Sequence, residues 1–517
     1  MMEHAPILII ALPLLTAFLI PLLDMINAKL RNAGVIIGSF VTILMVFLTS
    51  VQLYKGDFNP IVYTLGALNP IPYNYDFPIR IMLTIDGLSI LLAFIISIIG
   101  FLSLIFAFEY MKKESGLGLF YTLCMLMMTG FLGIVLTGDL FNMYVFIEIS
   151  AVASFALIAF DKDNPESIEA SLKYLIVGSI ASTFILIGIA LLYGEYGTLA
   201  IAQLAYYIGM NPSFVGNIAL ALFIVGFALK CGAVPLHMWL ADAYGSAPLP
   251  VAVMLGGFAT KTAIYTIVRI VFTLFGVAVD KNVIGWILIV FGILSMFVGV
   301  SMALLQTDYK RLLAYHVVSQ IGYMLLGIGI GFTLMVASPT ISINSINGGL
   351  FHVLNHAQYK ALLFMTAGVI MYKTQTTNLN ELGGLAKSLP ITTMCFIVGA
   401  ASISGIPPFN GFASKWLIYT SSAMFNPVIT LIAISVSALT LASFLKVFLS
   451  AFSGYTVAKC DCVGEAPLII LIPMILLAIS CILMGVFPEH IIDNLIHPAT
   501  EALLNQSTYI DAVRGGL

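Results

Sequence analysis

Apolar runs of about twenty residues recur along this chain from end to end, with short polar stretches between them. At 1.5 Å per residue such a run, as an α-helix, crosses the roughly 30 Å hydrocarbon layer of a bilayer. Tracing them predicts about fourteen spans, starting near residues 5, 33, 85, 117, 140, 168, 214, 248, 283, 312, 347, 391, 427 and 467. The first, Ala5 to Leu23, follows Met-Met-Glu-His rather than a basic region, and no small-residue cleavage site comes after it, so a retained helix is predicted. The longest interruption, Lys55 to Arg80, contains Pro60, Pro70, Pro72 and Pro78 and reads as an extended extramembrane loop. The expectation is an all-α polytopic membrane protein forming a single membrane domain over residues 1–517.

Composition agrees: 61% of the 517 residues are hydrophobic and 9% charged, against about 25% charged in soluble domains. A net charge of −3 leaves no large basic surface, so no nucleic-acid partner is expected. The basic residues between spans are distributed unevenly. Lys29, Arg31, Lys112, Lys113, Lys162, Lys173, Lys310, Arg311, Lys373, Lys387 and Lys459 follow odd-numbered spans, whereas Lys55, Arg80 and Lys281 follow even-numbered ones. The positive-inside rule then predicts a cell-membrane protein with both termini outside. Of the cysteines only Cys460 and Cys462 lie close together, as C-x-C. With no C-x₂-C pair, no cluster or zinc motif emerges, and no cofactor is expected in this chain.

Five lysines interrupt the apolar spans: Lys230, Lys261, Lys360, Lys415 and Lys446. Each charged side chain facing lipid at a helix centre costs about 2.5–3.5 kcal/mol, so the set should face protein or water. A desolvated lysine loses its preference for the charged form, and a nearby carboxylate restores it, so such a residue can load and release a proton. The carboxylate at hand is Glu148, in the fifth span within FNMYVFIEIS, and Lys230 is the lysine expected to approach it. Lys230 precedes Pro235, which removes a helical hydrogen bond and predicts a break in the seventh helix. Pro407 and Pro408 predict a second break ahead of Lys415 in the twelfth. In the eleventh span His352, His356 and Lys360 recur every fourth residue. They therefore share one helical face over about 12 Å. Such a stripe suits a proton relay, which His237, just past Pro235, and His316 in the tenth span could extend.

Spans four to eight and nine to thirteen form two five-helix blocks, each with a proline-broken helix and a lysine in its fourth member. Lys261 and Lys446 are counterparts in the fifth members. Five helices is an odd number, so the second block runs opposite to the first, as in transporters with inverted repeats. This divides the chain into 1–116 (N-terminal helices and extended loop), 117–276 (first repeat), 283–453 (second repeat) and 467–517 (last helix and tail).

The segments KCGAVPLHMWL (230–240), APLPV (247–251), DYKRLLAY (308–315), NHAQYKALLF (355–364) and SGIPPFNGF (404–412) carry a resemblance over nearly the whole chain. The chain resembles the antiporter-like subunits shared by Mrp cation/proton antiporters, membrane-bound group 4 hydrogenases and respiratory complex I. By that resemblance Glu148 matches the glutamate that pairs with the lysine of the broken seventh helix, here Lys230. Lys261 matches the central lysine and Lys415 the terminal residue of the second half-channel. A lysine there favours the D-type Mrp, hydrogenase-linked or ND2-like branch. The chain ends about thirty residues after its last span, which disfavours the complex I paralogue with a long lateral helix. His316 stands where the family often has serine, and Tyr244 where histidine is frequent.

The resemblance implies proton translocation through Glu148, Lys230, Lys261, His352, His356, Lys360 and Lys415. It also implies partners: other membrane subunits, coupled to Na⁺/H⁺ exchange or to a redox reaction in those partners, with sodium handled elsewhere in the assembly. The subunit is then not catalytic alone. Two rival readings are a quinone-binding redox subunit, which lacks any cofactor motif here, and a structural scaffold, for which buried lysines at broken helices would be needless.

Overall fold

The computed structural model describes residues 4–65, 81–455 and 464–514. Lys459, Cys460 and Cys462 lie outside them, as do Pro70, Pro72, Pro78 and Arg80 of the predicted loop. The helices used below are α1 (Ala5–Ile26), α2 (Ala28–Lys55), α3 (Gly87–Tyr110), α4 (Leu117–Leu136), α5 (Leu140–Ile158), α6 (Pro165–Tyr196) and a short α7 (Ile201–Met210). Then come α8 (Phe214–Cys231), α9 (Met238–Ser246), α10 (Leu249–Leu274), α11 (Lys281–Leu305), α12 (Tyr309–Leu334), α13 (Pro339–Thr374), α14 (Pro390–Ser404) and α15 (Asn410–Phe425). The chain closes with α16 (Pro427–Phe452), α17 (Leu468–Val486), α18 (His497–Leu504) and α19 (Gln506–Arg514).

Among the described residues, 12 helices are long and apolar enough to cross a membrane. The 36-residue α13 is long enough but is not among the 12, since it carries the polar stripe; α14 and α15 are each too short alone. One expectation is corrected: the interruption after α2 is not wholly extended loop. Strand β1 (Ile61–Thr64) pairs antiparallel with β2 (Met82–Ile85), Ile61 opposite Ile85. Ile-Val-Tyr-Thr and Met-Leu-Thr-Ile are β-branched or apolar, and β2 is buried throughout, so burial favours a hairpin.

Helix starts follow the sequence closely. Asp86, Asp139, Asn164, Ser213, Asp280 and Asp308 each accept a hydrogen bond from a first-turn N–H, satisfying a donor that the helix itself cannot. Both predicted breaks are present. Helix α8 stops at Gly232 (φ 74°), whose N–H bonds the carbonyls of Ala228 and Leu229; α14 stops at Gly405 (φ 76°), bonded to those of Ala401 and Ser402. A side chain would strain that left-handed backbone, so glycine ends each half-helix and the prolines keep it from resuming at once.

Packing then positions the chemistry. Helices α11 and α12 approach so closely that a Cβ on Gly322 would lie 2.4 Å from the Gly292 carbonyl oxygen. Small residues allow such backbone contact where lipid offers no hydrophobic drive between helices. Asp242 on α9 accepts from Lys173 of α6 at 2.8 Å and from Arg311 of α12 at 2.9 Å, tying the far half of the first broken helix to both neighbours. Helix α10 contains two π-helical turns, 255–259 and 269–274, on either side of Lys261.

Candidate functional site

The first broken helix presents Lys230 in the last turn of α8, where the helix's exposed carbonyls favour a cation. Lys230 lines a partly open cavity of about 40 Å³ with Ser150, Tyr174, Tyr244, Thr262 and Thr266, room for a water with several polar partners. Glu148, on α5, is half-buried, as is Lys230. Among the described residues no ion pair joins them, and Glu148 Oε1 has no hydrogen-bond partner. The break is pinned by Trp239 Nε1, which donates to Leu229 O (3.0 Å), and by Val234 N, which donates to Ser295 Oγ (2.9 Å). His237 opens α9, buried, with Nδ1 unpartnered.

Deeper in, Lys261 is fully buried, and its ammonium donates to the carbonyl of Gly256 inside the first π-helical turn. A π turn disturbs the regular carbonyl ladder, and such turns are frequent at functional sites. Gly256 also packs against Phe364 and the stem of Lys360, so both lysines gather around one turn of α10. Lys360 Nζ is buried without a hydrogen-bond partner, 5.5 Å from the centre of the Phe364 ring. One turn earlier, His356 is fully buried with both ring nitrogens unpartnered. Its ring centre lies 6.4 Å from that of His352. Three titratable groups thus share one buried face of α13, as their spacing predicts.

His352 is held firmly. Its Nε2 lies 3.1 Å from Gln320 Oε1 of α12, and its Nδ1 3.0 Å from Ser414 Oγ of α15. Tyr359 OH donates to the same Gln320 oxygen at 3.4 Å. Next to Ser414, Lys415 is buried at the second break. Its Nζ donates to Ile403 O (2.8 Å), at the end of α14, and to Ser437 Oγ (2.9 Å), and lies 4.7 Å from the centre of the Tyr323 ring. The lysine thus takes up one carbonyl at the end of the broken helix.

Two predicted residues stand apart from this row by their contacts. His316 bonds Ser443 Oγ (2.9 Å) and stacks on Phe444. Lys446, half-buried, donates to Leu304 O (2.8 Å) and Gln306 O (2.7 Å), capping the end of α11. Several polar residues were not anticipated from the sequence: Gln320, Tyr323, Tyr359, Ser414 and Ser437. Arg269 and Asp86 were also missed. They form a fully buried, bidentate ion pair (2.6 and 2.8 Å) between α10 and the start of α3, with Arg269 also over the rings of Tyr265 and Tyr509. An arginine within an apolar run was the available signal.

The family model described as NADH:quinone oxidoreductase/Mrp antiporter, transmembrane, matches residues 137–441, which include both broken helices and α13. The chain belongs to this family. A second model, the N-terminus of chain 5 of NADH-ubiquinone oxidoreductase (complex I), matches residues 72–121. Among curated relatives, the D-type subunit of the Na(+)/H(+) antiporter of Alkalihalophilus pseudofirmus is 33% identical over 514 residues, covering 98% of this chain and 99% of that protein. The NADH-quinone oxidoreductase subunit N of Desulforudis audaxviator is 33% identical, covering 96% and 99%. Among solved structures, a chain of the Mrp complex from Dietzia sp. superposes with a TM-score of 0.86 at 28% identity, over 99% of both chains. A chain of the membrane-bound sulfane sulfur reductase, an archaeal respiratory membrane complex, gives 0.87 at 30% identity, over 99% of this chain and 100% of that one. This member of the Mrp/NADH:quinone oxidoreductase family is therefore a polytopic membrane protein whose relatives are subunits of multisubunit membrane complexes.

Proposed function

We propose that this chain is the proton-translocating subunit of an Mrp-type antiporter or of an Mrp-containing redox complex. The observation that carries the reading is the buried row Lys261, Lys360, His356, His352 and Lys415, of which Lys360 and His356 have no protein hydrogen-bond partner. A buried ionisable group of this kind is costly when charged and unpaired, so it rests neutral or reaches water, and can therefore take up and release a proton. Protons enter at one half-channel, load Lys230 or Lys261, cross by Lys360, His356 and His352, and leave at Lys415, or travel in reverse. Ordered water bridges the unpaired groups. Glu148 is the switch: when its carboxylate swings onto Lys230 the charged lysine is stabilised, and when it withdraws the proton moves inward.

The finer architecture belongs to the same proposal: fourteen spans with inverted repeats at 117–276 and 283–453, and both termini outside. Exposed apolar side chains such as Phe18, Phe47, Phe214 and Leu431 face lipid. Sodium, where the assembly moves it, passes through another subunit, and no cofactor binds this one. In proteoliposomes holding the whole complex, Glu148→Gln and Lys230→Ala are each expected to cut proton flux by tenfold or more with assembly intact. Flux equal to wild type in both would sink the reading. Complexes lacking only this subunit are expected to retain sodium-22 binding or uptake in the remaining subunits, and its complete loss would contradict the division of labour.

A further inference from the structure

The two nitrogens of His352 face chemically different partners, and that difference sets where its proton comes from. Nε2 meets an amide oxygen, Gln320 Oε1 at 3.1 Å, which accepts hydrogen bonds and donates none. Nε2 of the neutral ring therefore carries the hydrogen. Tyr359 OH lies 3.4 Å from both that oxygen and Nε2, and donates to the oxygen, while the Gln320 nitrogen is buried and unpartnered. Nδ1 is consequently bare in the neutral ring and accepts from the Ser414 hydroxyl at 3.0 Å. That hydroxyl has a second acceptor, the Gly411 carbonyl at 3.2 Å. It can point at Nδ1 when the ring is neutral, and at Gly411 when Nδ1 itself bears a proton.

We propose that Ser414 is a proton-relay residue through which His352 loads and unloads at Nδ1, with Gln320 the positioning residue that fixes its tautomer. The inference rests on the proton-transport reading above and refines it. In loading, the Ser414 O–H proton passes to Nδ1 while Ser414 Oγ takes a proton from an ammonium or hydronium on the side of the second helix break, where Lys415 is the next residue. The products are an imidazolium and a neutral amine or water, and unloading is the reverse. His352 is therefore coupled to the second break. Its link to His356, 6.4 Å away between ring centres with no direct hydrogen bond, is the discontinuous step of the row.

The test uses the whole complex in proteoliposomes, comparing Ser414→Ala, His352→Phe, the double variant and Lys415→Met. If His352 works only through Ser414, both single variants lose flux by tenfold or more and the double variant loses no more than either. Wild-type flux in Ser414→Ala, or a double variant much slower than both singles, overturns the relay. Wild-type flux in Lys415→Met as well would instead bring down the transport reading itself. Independently of any variant's folding, nitrogen-15 spectra of histidine-labelled wild-type complex should show a neutral His352 protonated at Nε2. Gln320→Met should weaken that preference. A wild-type ring protonated at Nδ1 alone overturns the role assigned to Gln320.

Discussion

At the scale of single residues, the buried charges of this chain are treated in two ways. Arg269 and Asp86 neutralise each other with two short hydrogen bonds, and Ser89 and Tyr265 add further contacts. Lys360 and His356 are left without protein hydrogen-bond partners. The first arrangement resists change of protonation, whereas the second invites it. Arg269→Ala strands a buried carboxylate and is expected to cost about 3–5 kcal/mol, seen as a large fall in the melting temperature of the purified complex. Arg269→Met combined with Asp86→Asn removes both charges while keeping a capping side chain at the start of α3, and should recover most of that loss. Equal damage from the single and double variants would show that the pair does more than neutralise charge. The lysines and histidines of the row were legible in the sequence because charge inside an apolar run is conspicuous. Gln320 and Ser414 were not, because uncharged polar residues occur in membrane helices for many reasons.

At the scale of elements, the helices that matter are the irregular ones. The two broken helices end on glycines at φ 74° and 76°; the first sets Lys230 at a small cavity, the second holds Lys415 against the Ile403 carbonyl, and α10 carries Lys261 between two π-helical turns. Proline and glycine made the breaks readable in advance; the π turns leave no comparable mark, since they arise from how α10 packs. The close approach of α11 and α12 is equally a packing outcome, and it sets where Gln320 meets His352. Gly322→Val would drive a side chain into the Gly292 carbonyl and the Met296 backbone nitrogen at 2.6 Å or less. Backbone cannot yield as a flexible side chain can, so the expected cost is about 1–3 kcal/mol or more. Proton flux should fall beyond what the lower melting temperature explains, and a flux that follows stability alone would contradict the positional role.

At the scale of the whole molecule, the basic loop residues predict which side of the membrane each turn occupies. Single cysteines placed near the N-terminus and in the α18–α19 segment should react with an impermeant thiol reagent added to intact cells, and one beside Lys112 should react only after permeabilisation. The opposite pattern would invert the proposed orientation. The relatives are parts of larger membrane complexes, and the row from Lys261 to Lys415 runs across several helices rather than along one. The lysines of the two breaks, Lys230 on α8 and Lys415 on α15, are far apart in sequence. Helix α13, carrying His352, His356 and Lys360, joins the two halves.

By itself the sequence determined the membrane class, the helical elements, the positions of both breaks and the titratable residues. Each of these follows from local chemistry: apolar length, capping side chains, proline and glycine, or a charge where charge is costly. The tertiary structure alone decided which partners those residues have. It left Glu148 Oε1 without a hydrogen-bond partner, gathered Lys261 and Lys360 around Gly256, used Lys446 as a cap for α11, paired Arg269 with Asp86 and placed Gln320 and Ser414 on opposite nitrogens of His352. Such pairings join residues from about 30 to more than 180 positions apart, and only the packing of whole helices brings them within hydrogen-bonding reach.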